Sequence, residues 1–107
     1  MKTITVPKTP AAAARLDRDA ATADDLIEME LTGDAFDRLF TSGWVASVNA
    51  AVGCMIDDYE DERIVDPDAL DRVAAITARM GDPEPFPRIA AHTEEAKRRG
   101  TGLHVYF

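Results

Sequence analysis

At 107 residues, with 46% hydrophobic and 30% charged side chains, the chain has the balance of one ordinary globular domain and is too short for two separately cored ones. Its net charge of −8 and pI near 4.6 make free nucleic acid and anionic membrane surfaces poor partners, because phosphate binding needs clustered Lys and Arg that release counterions. Cys54 is alone, which forbids an internal disulfide, and MKTITVPKT lacks the apolar run of a secretory signal; the expectation is a single cytoplasmic domain over residues 1–107.

Residues 2–6 alternate polar and apolar, with Ile4 and Val6 on one side, and predict a short strand closed by Pro7 and Pro10. The alanine-rich stretch 11–23 has good helix propensity but no wide apolar face, so it reads as a marginal surface helix or a flexible connection. Residues 26–31 carry the clearest strand pattern. Ile27, Met29 and Leu31 point one way and Glu28 and Glu30 the other, as in a sheet with one face on the core.

Thr32 or Asp34 is placed to cap a helix that buries Phe36, Leu39 and Phe40 and stops at Gly43. A second segment, 44 to about 56, puts Trp44, Val48, Val52 and Met55 on one face. The eighteen residues 39–56 carry no charge, the lower length limit of a membrane span. Their polar side chains and two glycines favour two globular helix segments instead.

Asp66-Pro67 is a strong helix start, with Asp at the cap and Pro at the first position, where its missing N–H costs nothing. That helix should turn Leu70, Val73, Ala74, Thr77 and Met80 inward and end at Gly81. Three prolines make 82–87 a rigid turn. The last helix, 87–99, aims Ile89, Ala90, Thr93 and Ala96 at the core. Lys97, Arg98 and Arg99 sit in its final turn, at the negative end of the helix dipole. Residues 103–107 predict a closing strand. The expected fold is therefore α+β, a small sheet of about three short strands packed against three to four helices.

Charge is segregated along the chain. Residues 1–16 sum to +3, 17–71 to −13 and 72–107 to +2. The peak is Asp57, Asp58, Tyr59, Glu60, Asp61 and Glu62, five carboxylates in six residues. Such a run commonly forms a solvated loop or helix end. As a functional feature it is an electrostatic docking patch for a basic protein partner, with Tyr59 as aromatic anchor and the carboxylates steering association. It does not fit a calcium loop: counting from Asp57 puts Tyr59 at the third ligand position, Glu62 where the turn requires Gly, and Asp68 at the last position.

No residue set spells out a catalytic, metal or cofactor motif. His92 and His104 are the two imidazoles. His92 shares a flank with Ile89 and Ala96 and reads as a partly buried boundary residue. His104 and Tyr106 share one side of the last strand, expected to be its water-exposed side. Cys54 reads as a small core residue without a nearby base. Asn49, if buried, must be hydrogen-bonded and would pin its helix against a backbone turn. Gly100-Thr101-Gly102 precedes a strand and lacks the Lys of a phosphate loop.

The expected function is a non-enzymatic binding protein that docks its acidic middle onto a basic partner, in concrete form an immunity or antitoxin-type inhibitor of a toxin. The alternative is a small ligand-binding domain or enzyme with a site near His104 and Tyr106. Self-association stays open, with residues 103–107 as a self-pairing edge.

Overall fold

The computed structural model describes residues 2–107. In chain order the elements are β1 (Thr3–Pro7), α1 (Pro10–Asp17), a 3₁₀ turn (Ala23–Asp25), β2 (Leu26–Glu30), α2 (Gly33–Thr41), α3 (Trp44–Val52), β3 (Asp61–Ile64), α4 (Pro67–Arg79), α5 (Phe86–Arg99) and β4 (Leu103–Tyr106). The class is α+β, as read from the sequence. The sheet has four strands rather than three, in the order β2-β1-β4-β3, every pair antiparallel. The additional strand, β3, is the charged stretch DERI, which carries no apolar alternation to announce it.

Register places Ile4 opposite both Met29 and Val105, and Ile64 opposite Leu103. These five side chains line one face and are buried with Val6. On that face α5 packs against β1 and β4, and α4, α3 and α2 follow in turn, each beside the last. Trp44, Leu39, Leu70, Val73 and Ile89 fill the layer between. Burial of side chains this size contributes roughly 1.5–3 kcal/mol each before the conformational entropy opposing it.

Several helix signals operate as their residue types predict. Thr32 Oγ1 accepts from Ala35 N at 3.2 Å, and Asp66 Oδ2 accepts from Ala69 N at 3.3 Å. Gly43 (φ 85°) separates α2 from α3, so the uncharged stretch is divided between the last turn of α2 and the nine-residue α3. Among the described residues no helix is long and apolar enough to cross a membrane.

Four expectations are corrected. Of the two readings of 11–23 the surface helix holds, but only over its first half: α1 is capped by Thr9 Oγ1, which accepts from Ala12 N at 3.0 Å, and it ends at Asp17. The second apolar helix stops at Val52, because Gly53 (φ 71°) turns the chain left-handed there. Met55 therefore leaves the buried stripe and stands 77% exposed. The fourth concerns residues 103–107: β4 pairs on both sides, so it is an interior strand and offers no free edge. The outer strands are β2 and β3, and both carry carboxylates, Glu28 and Glu30 on one, Asp61 and Glu62 on the other. Like charges at both edges oppose pairing of the sheet with its own copy.

Candidate functional site

The acidic run folds as a tight turn leading into β3. Glu60 N donates to Asp57 O at 3.2 Å, and Asp57 Oδ1 accepts from Asp58 N at 2.8 Å. The third residue, Tyr59, has φ 65°. A bulky side chain is an outlier in the left-handed region, where glycine is the default. The ring is not buried in return, being 88% exposed.

Two anchors hold this turn. From the outside, Lys2 Nζ bonds the Asp58 carboxylate and the Phe107 carbonyl. Its ammonium stands 4.6 Å from the centre of the Tyr59 ring and 4.8 Å from that of Phe36. From the inside, Asn49 clamps the approach to the turn. Its Oδ1 accepts from Ile56 N at 2.8 Å and from the Cys54 thiol at 3.1 Å, while Nδ2 donates to Ile56 O at 3.0 Å. This is the pinning expected of Asn49, made by a half-buried rather than a fully buried side chain.

The six residues of the run do not share one surface. Asp57, Asp58, Tyr59 and Glu60 project from the turn. Strand alternation then separates the last two. Asp61 lies opposite Tyr106 in the register, on the sheet face away from the main core. Glu62 lies opposite Val105 and turns inward, where Oε2 accepts from Met55 N at 3.1 Å. With Asp57 and Glu60 it lines an open cleft of about 550 Å³, whose other walls include Asn49, Cys54 and Met55. Cys54 is thus a half-buried loop residue at the cleft that packs against the margin of the core. Partial burial, reinforced by Glu62, raises its thiol pKa and keeps it in the less reactive protonated form.

A second cleft of about 410 Å³ runs between α2 and the turn, lined by Phe36, Asp37, Phe40, Thr41, Asp57 and Asp58. Phe40, expected inside, is 36% exposed; Phe36 is half-buried, 5.1 Å from it between ring centres.

Folding partly cancels the charge segregation seen along the chain. Asp17 pairs with Arg63 at 2.6 Å, Asp25 with Arg15 at 2.6 Å, Asp71 with Lys97 at 2.7 Å, and Asp58 with Lys2. Three of these four bases lie outside the acidic segment. Among the described residues Asp37, Asp57, Glu60, Asp61 and Glu62 form no ion pair. Asp19, Asp24, Glu28, Glu30, Asp34, Asp66 and Asp68 of the same segment form none either, so uncompensated charge remains on the turn, its two clefts and the β3 edge as well as on β2 and the starts of α2 and α4. Among those residues no three His, Cys, Asp or Glu side chains converge in a way that would hold a metal ion.

The His104 surface differs from expectation. His104 is only 6% exposed, although it points to the outer sheet face. That face is covered by α1, which packs on β1 and sends Asp17 to Arg63, the register partner of His104. Burial lowers the His104 pKa; Asp17 works against that and Arg63 with it. Tyr106, half-buried beside it at 6.4 Å between ring centres, has its pKa raised by burial and by Asp61. Neither residue lines a cleft described above. His92 is half-buried, as expected, with Nδ1 3.1 Å from Arg88 O and Nε2 buried without a hydrogen-bond partner among the described residues.

Sequence reasoning did not find Lys2, Phe36 or Phe40 as parts of this surface. Only the +3 charge of the N-terminal segment hinted that a base would sit against the acidic middle. Compared with family models, with curated proteins and with solved structures, the chain finds no match in any of the three.

Proposed function

We propose that the surface built on the 57–60 turn docks a basic protein partner, in the manner of an immunity or antitoxin-type inhibitor seated on a toxin. The observation that carries this reading is Tyr59. A large aromatic ring occupies a left-handed position at a cost of about 1–2 kcal/mol, and it remains 88% exposed. One face of the ring meets the Lys2 ammonium, and backbone strain without burial of the side chain is characteristic of positions kept for contact. On the same turn stand the exposed carboxylates of Asp57, Asp58 and Glu60, with the exposed Met55 and the Glu62 carboxylate on the adjoining cleft. That combination of apolar anchor and charged rim gives affinity at the centre and steering at the edge.

The test is capture of partners from the native host, followed by binding measurements on the isolated pair. A basic protein should be retained by the wild type and lost on reversal of Asp58, Glu60 and Asp61 to Lys. Tyr59→Gly is the decisive control. Glycine relaxes the turn, so the variant should be at least as stable as the wild type while binding falls by about tenfold or more. Retention of no basic protein, or binding indifferent to both sets of changes, sinks the reading.

A further inference from the structure

Lys2 shows how this corner of the molecule holds a cation. Its ammonium sits between the Phe36 and Tyr59 rings, 4.8 and 4.6 Å from their centres, with the Asp58 carboxylate and the Phe107 carbonyl as hydrogen-bond acceptors. The cleft between α2 and the turn continues the same chemistry one helical turn further along. Phe40 repeats Phe36 at i+4, and Asp37 and Asp57 stand at its rim as Asp58 stands beside Lys2. Here the aromatic face is exposed and, among the described residues, the two rim carboxylates have no cationic partner.

We infer that this cleft is the seat of one segment of the basic partner, a large apolar side chain packing on Phe36 and Phe40 with neighbouring Lys or Arg reaching Asp37 and Asp57. The inference rests on the docking function proposed above and specifies where the partner's anchor enters. Charge complementarity selects the occupant. A purely apolar segment would leave Asp37 and Asp57 partly desolvated without compensation, and an acidic one would be repelled. A second copy of this chain is a poorer occupant, because two of its exposed apolar residues, Met55 and Phe40, share their clefts with carboxylates that form no ion pair among the described residues and would bring like charge to Asp37 and Asp57. A cation entering the cleft gains the ring faces as well as the carboxylates, which favours Arg or Lys over any neutral polar group.

The experiment uses the full chain, isotope-labelled for NMR, and short synthetic peptides as probes. The first carries one Phe flanked by Lys and Arg, the second has Ala in place of that Phe, and the third keeps the Phe but has Glu in place of the basic residues. The first should shift the amides of Phe36, Asp37, Phe40, Thr41 and Asp58 and bind about tenfold more tightly than either of the others. Phe40→Ser and, separately, Asp37→Lys should each weaken it several-fold while the remaining amide spectrum stays native. If the basic peptides bind instead around Glu60 and Glu62, and both variants leave affinity unchanged, the cleft assignment fails and the docking function stands. If no basic peptide binds at all, both fail. Equal binding of the first and third peptides removes the charge selection, and a dimer in light scattering that Phe40→Ser dissolves gives the cleft to a second copy. Either result overturns the inference.

Discussion

Asn49 and Ile56 are joined by a pair of hydrogen bonds, Asn49 Oδ1 accepting from Ile56 N at 2.8 Å and Nδ2 donating to Ile56 O at 3.0 Å. A side chain on α3 thereby supplies the backbone pairing that a neighbouring strand would otherwise give, just where the chain leaves the helix for the acidic turn. Removing it should strand both backbone groups of Ile56, which is buried. Asn49→Ala is expected to lower stability by about 1–3 kcal/mol, read as a reduced urea midpoint. The Ile56 amide should also lose its hydrogen-exchange protection. An unchanged midpoint would mean that water replaces both bonds at no cost.

Trp44 and Thr77 form a comparable link deeper in the core. The indole Nε1 donates to Thr77 Oγ1 at 3.0 Å, and that hydroxyl donates to Val73 O at 2.7 Å. Both side chains are buried, so the hydroxyl joins α3 to α4 where no water is available. Thr77→Val keeps the shape but leaves the indole N–H unpaired and should cost about 1–3 kcal/mol. Thr77→Ser keeps the hydroxyl and should be the milder change. Denaturant titrations followed by the fluorescence of Trp44, the one tryptophan of the chain, separate the two. Equal losses for Val and Ser would assign the cost to packing rather than to the hydrogen bond.

Gly102 is required for close approach. A Cβ there would lie 2.6 Å from Val65 Cγ1 and 2.7 Å from the Ile64 carbonyl oxygen. The valine can move, but the carbonyl is fixed by the chain passing from β3 to α4. Gly102→Ala should therefore destabilise by about 1–3 kcal/mol, and a second change, Val65→Ala, should recover only part of the loss. Full recovery would show that the backbone contact yields easily.

Acid should act on two kinds of group with the same sign. The hydrogen bond from Arg15, assisted by the backbone of Thr22, holds the Asp25 carboxyl down to about 2. A depressed carboxyl pKa contributes stability that is complete above the unfolded value of about 4 and is lost as pH falls from there through about 2. An NMR titration should place the Asp25 midpoint near that value, and Arg15→Gln should return it toward the ordinary carboxylate range. A normal midpoint in the wild type would show that the pair does not persist in solution.

His92 and His104 act at higher pH. Burial lowers both pKa values, so the folded state binds fewer protons than the unfolded chain once pH drops below about 6.5. Stability should decline on acidification from pH 7 toward pH 5, before carboxyl protonation begins. Replacing both imidazoles with Gln should flatten that decline in urea midpoints. A slope that survives the double replacement would assign it to other groups.

The elements whose signals are local were legible in the residues. The alternation of Ile27, Met29 and Leu31 marks β2, and Asp66-Pro67 marks the start of α4, because side-chain period and capping chemistry act within a few positions. β3 was not legible. Asp61, Glu62 and Arg63 are all charged and show no apolar alternation, and they form a strand because β4 offers them an edge to pair with. The exposure of Phe40 and Met55 escaped for a related reason. Helical spacing shows which residues share a face, but what covers that face depends on the neighbours, and Gly53 ends the helix before Met55 can join its stripe.

Composition and pattern alone determined an acidic α+β domain with its charge massed between residues 17 and 71. Tertiary structure decided which of those charges remain available. Bringing Lys2, Arg15 and Lys97 against Asp58, Asp25 and Asp71 compensates part of the segment. Apart from Asp17, which pairs with Arg63, the other carboxylates of the segment form no ion pair among the described residues, and of these Asp57 and Glu60 share the turn of the strained, exposed Tyr59. That division could not be read along the chain, because the Coulomb interaction depends on distance in space, and partners as far apart as Lys2 and Asp58 become neighbours only when the sheet and helices close.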